Sequence, residues 1–127
     1  MDHRVSYSIY YEDVDSLGVV YYANYFKYLE RGRTEYLASR GRQVAELNAA
    51  GIAVVVHSVN ATFRKPARLG ERVDVVSSFS VTSPFRGRFT QRVERGGELL
   101  VDATVDVVCL DAAGQLTELP ADLRDLN

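Results

Sequence analysis

The stretch Tyr22-Ala23-Asn24-Tyr25-Phe26-Lys27-Tyr28-Leu29-Glu30-Arg31-Gly32-Arg33-Thr34-Glu35-Tyr36-Leu37 decides the fold. It is the one long helical pattern in a chain that otherwise reads mostly as strands. Tyr25, Phe26, Leu29, Gly32, Arg33, Tyr36 and Leu37 recur at steps of three and four, with Lys27, Glu30, Arg31, Thr34 and Glu35 mostly between them. That period predicts a helix over 22–40, ended by Gly41. Gly32 costs about 1 kcal/mol of helix propensity relative to alanine. On the apolar stripe, such a loss fits a helix that lies close to another backbone. A second short helix, 43–50, is predicted to end at Gly51.

Around this helix the text is strand. Upstream, Val5, Tyr7, Ile9 and Tyr11 alternate with Arg4, Ser6 and Ser8, a period of two over 5–11. Downstream, Val55, His57, Val59, Ala61 and Phe63 share one predicted face, and Ser58, Asn60, Thr62 and Arg64 the other. Val73, Val75, Phe79 and Val81 form the next strand, followed by Phe89, Gln91 and Val93 after the breakers Pro84 and Gly87. Gly96-Gly97 reads as a hairpin turn into a last long strand facing inward with Leu99, Val101, Ala103, Val105, Val107 and Cys109. A short strand near 116–118 and a terminal helix opened by Pro120 complete the chain. Short turns demand antiparallel neighbours. The expectation is one α+β domain over 1–127, with a single central helix on an antiparallel sheet. One helix covers such a sheet incompletely, so a second copy is expected to cover more.

Composition excludes more than it names. The 127 residues carry 15 Lys+Arg against 17 Asp+Glu, giving a net charge of −2, and 46% of them are hydrophobic. This is ordinary for a soluble globular chain and gives no footprint for general nucleic-acid binding. The purely aliphatic run Ile52–Val56 is far too short for a membrane span. The N-terminal residues show no signal-peptide pattern. The lone Cys109 cannot make an internal disulfide, so a reducing, cytoplasmic setting is expected. His3, His57 and Cys109 are isolated in sequence, so no metal site is expected. No P-loop, dinucleotide fingerprint or G-x-S-x-G is present.

Chemistry concentrates in Tyr10-Tyr11-Glu12-Asp13-Val14-Asp15-Ser16-Leu17-Gly18-Val19-Val20-Tyr21-Tyr22-Ala23-Asn24-Tyr25, a carboxylate loop that runs into the helix start. Free N–H groups at a helix start can hold a carbonyl oxygen as it becomes an oxyanion. A nearby carboxylate can attack the carbonyl carbon or activate water. Asp13 and Asp15 equally suit a plain capping role, and local composition leaves both readings open.

The pattern aromatic-x-x-Asp-x-Asp-x-x-Gly-Val-Val-Tyr-x-x-x-Tyr resembles the signature of hotdog-fold acyl-CoA thioesterases of the 4-hydroxybenzoyl-CoA thioesterase family. The likeness is closest to the branch whose bacterial members accompany the Tol–Pal envelope system. It continues through Glu30-Arg31-Gly32-Arg33-Thr34-Glu35-Tyr36-Leu37, Lys65-Pro66-Ala67-Arg68-Leu69 and Phe89-Thr90-Gln91-Arg92. The resemblance implies a hotdog fold, in which a five- to six-stranded sheet wraps around one long helix. It implies thioester hydrolysis on acyl-CoA or acyl carrier protein, with Asp15 catalytic and the Tyr22 backbone N–H polarising the carbonyl. Some relatives carry His at the position of Tyr22; Tyr keeps only the backbone group. The resemblance further implies substrate contacts at Gly18, Val19, Tyr25, His57, Lys65, Arg86 and Arg88, with the basic residues holding coenzyme A phosphates, often across a subunit interface. No cofactor is implied beyond the coenzyme A of the substrate, and the expected assembly is a homodimer that forms a homotetramer.

Other readings remain at this stage. Glu30 reads as a partner for Arg33 or a lysine rather than a catalyst. His57 reads as a core residue or a pocket wall. Cys109 reads as a small core hydrophobe. A non-catalytic acyl-CoA-binding hotdog protein, a polyketide-releasing thioesterase suggested by Tyr21-Tyr22-Ala23-Asn24-Tyr25, and a dehydratase of the same fold are the alternatives.

Overall fold

In the computed structural model, which describes residues 2–124, the sheet runs in the order β1-β3-β4-β5-β2, all antiparallel, with β6 added at the end of β5. The strands are β1 His3–Ser8, β2 Ala53–Phe63, β3 Arg72–Ser83, β4 Arg86–Arg95, β5 Glu98–Leu110 and β6 Leu116–Thr117. The helices are α1 Tyr25–Ser39, α2 Val44–Ala49 and α3 Ala121–Arg124. The Gly96-Gly97 turn between β4 and β5 has positive φ at both glycines, as a tight hairpin of that twist needs.

A 3₁₀ turn over Tyr22–Asn24 leads directly into α1, so the helical run begins at Tyr22 as expected. Gly41, at φ +80°, turns the chain out of it. Tyr25, Tyr28, Leu29, Gly32, Tyr36 and Leu37 face the sheet. Phe26, expected inside, is instead exposed beside Phe63, and Tyr28 takes the inner place. The first half of α1 packs Tyr25, Tyr28 and Leu29 with Val73, Val75, Val93 and Val101. The second half packs Tyr36 and Leu37 with Phe79, Phe89, Val105, Val107 and the buried Cys109.

Gly32 is explained by side chains rather than backbone. A Cβ there would lie 2.5 Å from Val75 Cγ1, 3.1 Å from Gln91 Nε2 and 3.2 Å from Ser77 Oγ. The space it leaves holds a closed polar knot. The fully buried Gln91 donates from Nε2 to the Leu29 carbonyl and to Ser77 Oγ, both at 2.9 Å. Its Oε1 accepts from the Arg33 guanidinium at 3.1 Å. Glu30 makes no direct bond to Arg33 but favours its charge from nearby, and accepts from the Thr34 hydroxyl at 2.9 Å.

Three expectations of phase need correction. The first strand stops at Ser8; Tyr11, 82% exposed, lies in a 3₁₀ turn because the Asp13 carboxylate draws back the Tyr10 N–H at 3.0 Å. Gly87 is not a turn residue but sits within β4, where the missing Cβ makes room for the Phe79 ring. In β2 the register shifts between Val56 and Ser58, so His57 is a bulge. The bulge moves Val54 and Val56 to the face shared with Ala61 and Phe63, and leaves His57 exposed rather than in the core.

Candidate active site

Residues 13–20 fold into a small hairpin stapled to the chain after β2. Val14 bridges Val20, the Asp15 N–H donates to the Val19 carbonyl at 2.9 Å, and the Gly18 N–H donates to the Asp15 carbonyl at 3.0 Å. Gly18 has φ +78°, and no atom lies within 4 Å of the place a Cβ would take; backbone conformation alone demands glycine there. Val19 bridges Arg68, Val20 N–H donates to the Ala67 carbonyl, and Leu69 N–H donates to the Gly18 carbonyl. This returns Asp15 beside Val19, three residues ahead of Tyr22. The Asp15 carboxylate is exposed. Its Oδ1 accepts from the Leu17 N–H at 2.8 Å, while Oδ2 accepts from no described group.

Asp13 has the opposite environment. It is 2% exposed, and its Oδ2 accepts from the Tyr28 hydroxyl at 2.7 Å and the Tyr10 N–H at 3.0 Å. Its Oδ1 faces Lys27 Nζ at 3.2 Å. Burial alone would raise its pKa, but the bonds from Tyr28, Tyr10 and Lys27 outweigh burial and hold the carboxyl below its ordinary 3.8. Burial and the bond to Asp13 push the Tyr28 phenol up in turn. Asp13 therefore anchors the loop; Asp15 is left open.

At the helix start, the N–H groups of Tyr22 and Ala23 have no preceding helical carbonyl to bond. Neither donates to any described group. Neither the turn nor α1 receives a side-chain cap. Two unpaired donors and the positive end of the helix thus stand next to the loop that carries Asp15.

Beside them opens a cavity of about 200 Å³ lined by Val20, Tyr22, Tyr25, Phe63 and Pro66, with Arg64 and Lys65 also on its wall. The Phe63 ring is the hub: its centroid is 5.8 Å from Tyr22, 5.8 Å from Tyr25 and 6.2 Å from Phe26. Tyr22 remains 57% exposed. Tyr25 is buried, and its hydroxyl oxygen accepts the Ala67 N–H at 2.9 Å. Phe63, Val20 and Pro66 were not singled out from sequence. Phe63 stands in the alternation of β2 just ahead of the Lys65-Pro66-Ala67 motif, and no local pattern marks it as a neighbour of Tyr22.

The site residues expected from sequence fall into two groups. Asp15, Gly18, Val19, Tyr22, Tyr25 and Lys65 come together around this loop and cavity. Lys65 is already paired with Glu98 at 2.7 Å, and the Glu98 carboxyl is pulled down to about 2 by Lys65 and Arg95. His57, Arg86 and Arg88 stand elsewhere. An Arg86 Nη contacts His57 Nε2 at 3.1 Å, and Arg88 grips Asp106 through two bonds of 2.7 and 3.1 Å. Through β5, Arg86 stands level with Val55, eight residues along β2 from Phe63. At strand rise that is about 25 Å. Among the described residues there is no His/Cys/Asp/Glu cluster able to hold a metal ion, and no helix is long and apolar enough to cross a membrane.

A sheet wrapped on one face around a long helix, with a carboxylate loop entering that helix, is the hotdog architecture. Known structures share it: TT1821 of Thermus thermophilus superposes with a TM-score of 0.92 at 30% identity, covering 98% of each chain. A probable thioesterase of Bartonella henselae gives 0.90 at 29%, covering 94% of this chain and 100% of that one. Over 104 residues the sequence is 36% identical to the acyl-CoA thioester hydrolase YbgC of Escherichia coli O6:H1, covering 81% of this chain and 78% of that protein. Residues 10–126 match the thioesterase-like superfamily, and the protein belongs to it.

Proposed function

We propose that this protein is an acyl-CoA thioesterase in which Asp15 and the helix start at Tyr22 form the hydrolytic site. The observation that carries the reading is the exposed, half-unbonded Asp15 carboxylate held on a stapled loop next to two unpaired helix-start N–H groups. The thioester carbonyl oxygen accepts from the Tyr22 N–H, which stabilises the negative charge that develops there. Asp15 either attacks the carbonyl carbon, giving an anhydride that water opens, or takes a proton from the attacking water. In both routes the C–S bond breaks, the thiolate leaves and gains a proton, and water supplies the oxygen of the free acid. No cofactor is needed beyond the coenzyme A of the substrate. Acyl carrier protein offers the same thioester and is the second substrate to assay. The reading takes the chain as a member of the branch its signature resembles, that of the Tol–Pal-associated thioesterases, and takes the cytoplasm as its compartment because the lone Cys109 suits a reducing setting.

The working unit is a homodimer, which pairs further into a tetramer. Two observations support this. The eleven-residue β2 forms one edge of the sheet, with Val55, Val56, Val59 and Phe63 exposed. Arg86 and Arg88 stand level with Val55 and Ser58, about 25 and 17 Å along β2 from Phe63 at strand rise, and a second copy across the exposed edge would bring such basic residues to coenzyme A phosphates. A monomeric mass at micromolar concentration would overturn the dimer.

The test of the activity is thiol release from short-chain, long-chain and aromatic acyl-CoAs and one acyl carrier protein, with Asp15→Asn as control. Turnover that disappears with Asp15→Asn supports the reading. Stoichiometric binding without turnover by the wild-type protein contradicts it.

A further inference from the structure

Asn24 stands in the first turn of the helical run, where its N–H bonds the Tyr21 carbonyl at 2.8 Å. A glutamate or glutamine at this third position turns back to the N–H of the residue ahead of the helix; asparagine has a shorter reach. Asn24 makes no such cap. Its Nδ2 reaches eleven residues back and donates to the Asp13 carbonyl oxygen at 2.9 Å. The acceptor is a carbonyl, so the amide must present its nitrogen. The same oxygen accepts the Tyr21 N–H at 3.2 Å. One carbonyl, two residues before Asp15, is thereby tied to both flanks of the Tyr22-Ala23 donors. The buried Asp13 carboxylate holds that residue from the other side through Tyr28, Tyr10 and Lys27.

We infer that Asn24 is a positioning residue: its amide fixes the Asp15 loop against the helix-start donors. Asn24 touches neither reacting atom; it sets the separation of the groups that do. Its amide and the Tyr21 N–H meet on the one Asp13 carbonyl, and neither takes up the Tyr22 or Ala23 N–H. The inference rests on the thioesterase reading for its kinetic arm only.

Asn24→Asp separates positioning from structure. Aspartate is nearly isosteric, can accept from the Tyr21 N–H and favours a helix N-terminus, but it cannot donate to the Asp13 carbonyl. The melting temperature is expected to stay within about 3 °C of wild type or rise. The kcat should fall about 10- to 100-fold, the cost of slight misplacement of reacting groups, with KM within about threefold. Hydrogen exchange at the amides of 14–20 should quicken while that of α1 is unchanged. A kcat within about twofold of wild type, or a rise in KM that accounts for the whole loss, would overturn the inference. So would unchanged exchange over 14–20. If the wild-type protein hydrolysed no acyl-CoA, the thioesterase reading would fail alone, and the exchange measurement would still decide the role of Asn24.

Discussion

The start of the central helix and its middle both carry polar groups, and they treat them oppositely. At the middle, Gln91, Ser77, Arg33 and the Leu29 carbonyl close on one another in the space Gly32 leaves, and every hydrogen-bonding atom of the Gln91 amide oxygen and nitrogen is engaged. At the start, the Tyr22 and Ala23 N–H groups and one oxygen of Asp15 have no partner among the described residues, and aromatic rings stand exposed around them. The closed knot fixes how α1 sits on the sheet. The open junction is where a carbonyl can bind. Buried polar groups cost stability when unpaired, so the open set lies at the surface, and the closed set lies within.

The largest expected effect comes from breaking the middle. Helix propensity says that Gly32→Ala should stabilise by about 1 kcal/mol. Packing says the reverse, because the new methyl meets Val75 in a core with no slack. A net destabilisation of about 1–3 kcal/mol in denaturant unfolding is expected; a gain in stability would mean the helix is not held as described.

A smaller effect tests the anchor beneath the junction. The Asp13 carboxyl titrates below its ordinary value in the folded protein. Its ionised form therefore contributes stability that is complete above about pH 4 and lost as pH falls through the folded pKa. Asp13→Asn should be less stable at neutral pH and should flatten the acid limb of the melting curve below about pH 4. Identical acid limbs for the two proteins would show that the Tyr28, Tyr10 and Lys27 contacts do not hold the charged carboxylate.

This contrast also marks what was legible in the sequence. The helix, its start at Tyr22, the hairpin at Gly96-Gly97 and most of the core faces of β3, β4 and β5 follow from periodicity and glycine placement, which are local signals; Leu99, expected inward, is the exception, because the register shift between Val93 and Glu94 puts Leu100 in the core instead. The bulge at His57 does not. Val54-Val55-Val56 is apolar at both parities, so the alternation carries no phase there, and one inserted residue reverses which side chains face the helix. In the candidate site, the meeting of the Asp15 loop with the helix start at Tyr22 was readable because the two share one short segment. Phe63 reaches Tyr22 from some forty residues away, and Asn24 reveals its partner only when Asp13 is folded against it. The segments around Arg33 and Gln91, far apart in the sequence, are two halves of one buried knot.

The central claim is that the open junction is the hydrolytic site and Asp15 its reactive carboxylate. The most direct measurement is the steady-state rate of thiol release by Asp15→Asn on the best acyl-CoA of the panel, with its melting temperature recorded beside it. The expected result is a fall in kcat of about 100-fold or more at unchanged stability. Turnover near that of the wild-type protein from a folded Asp15→Asn would contradict it.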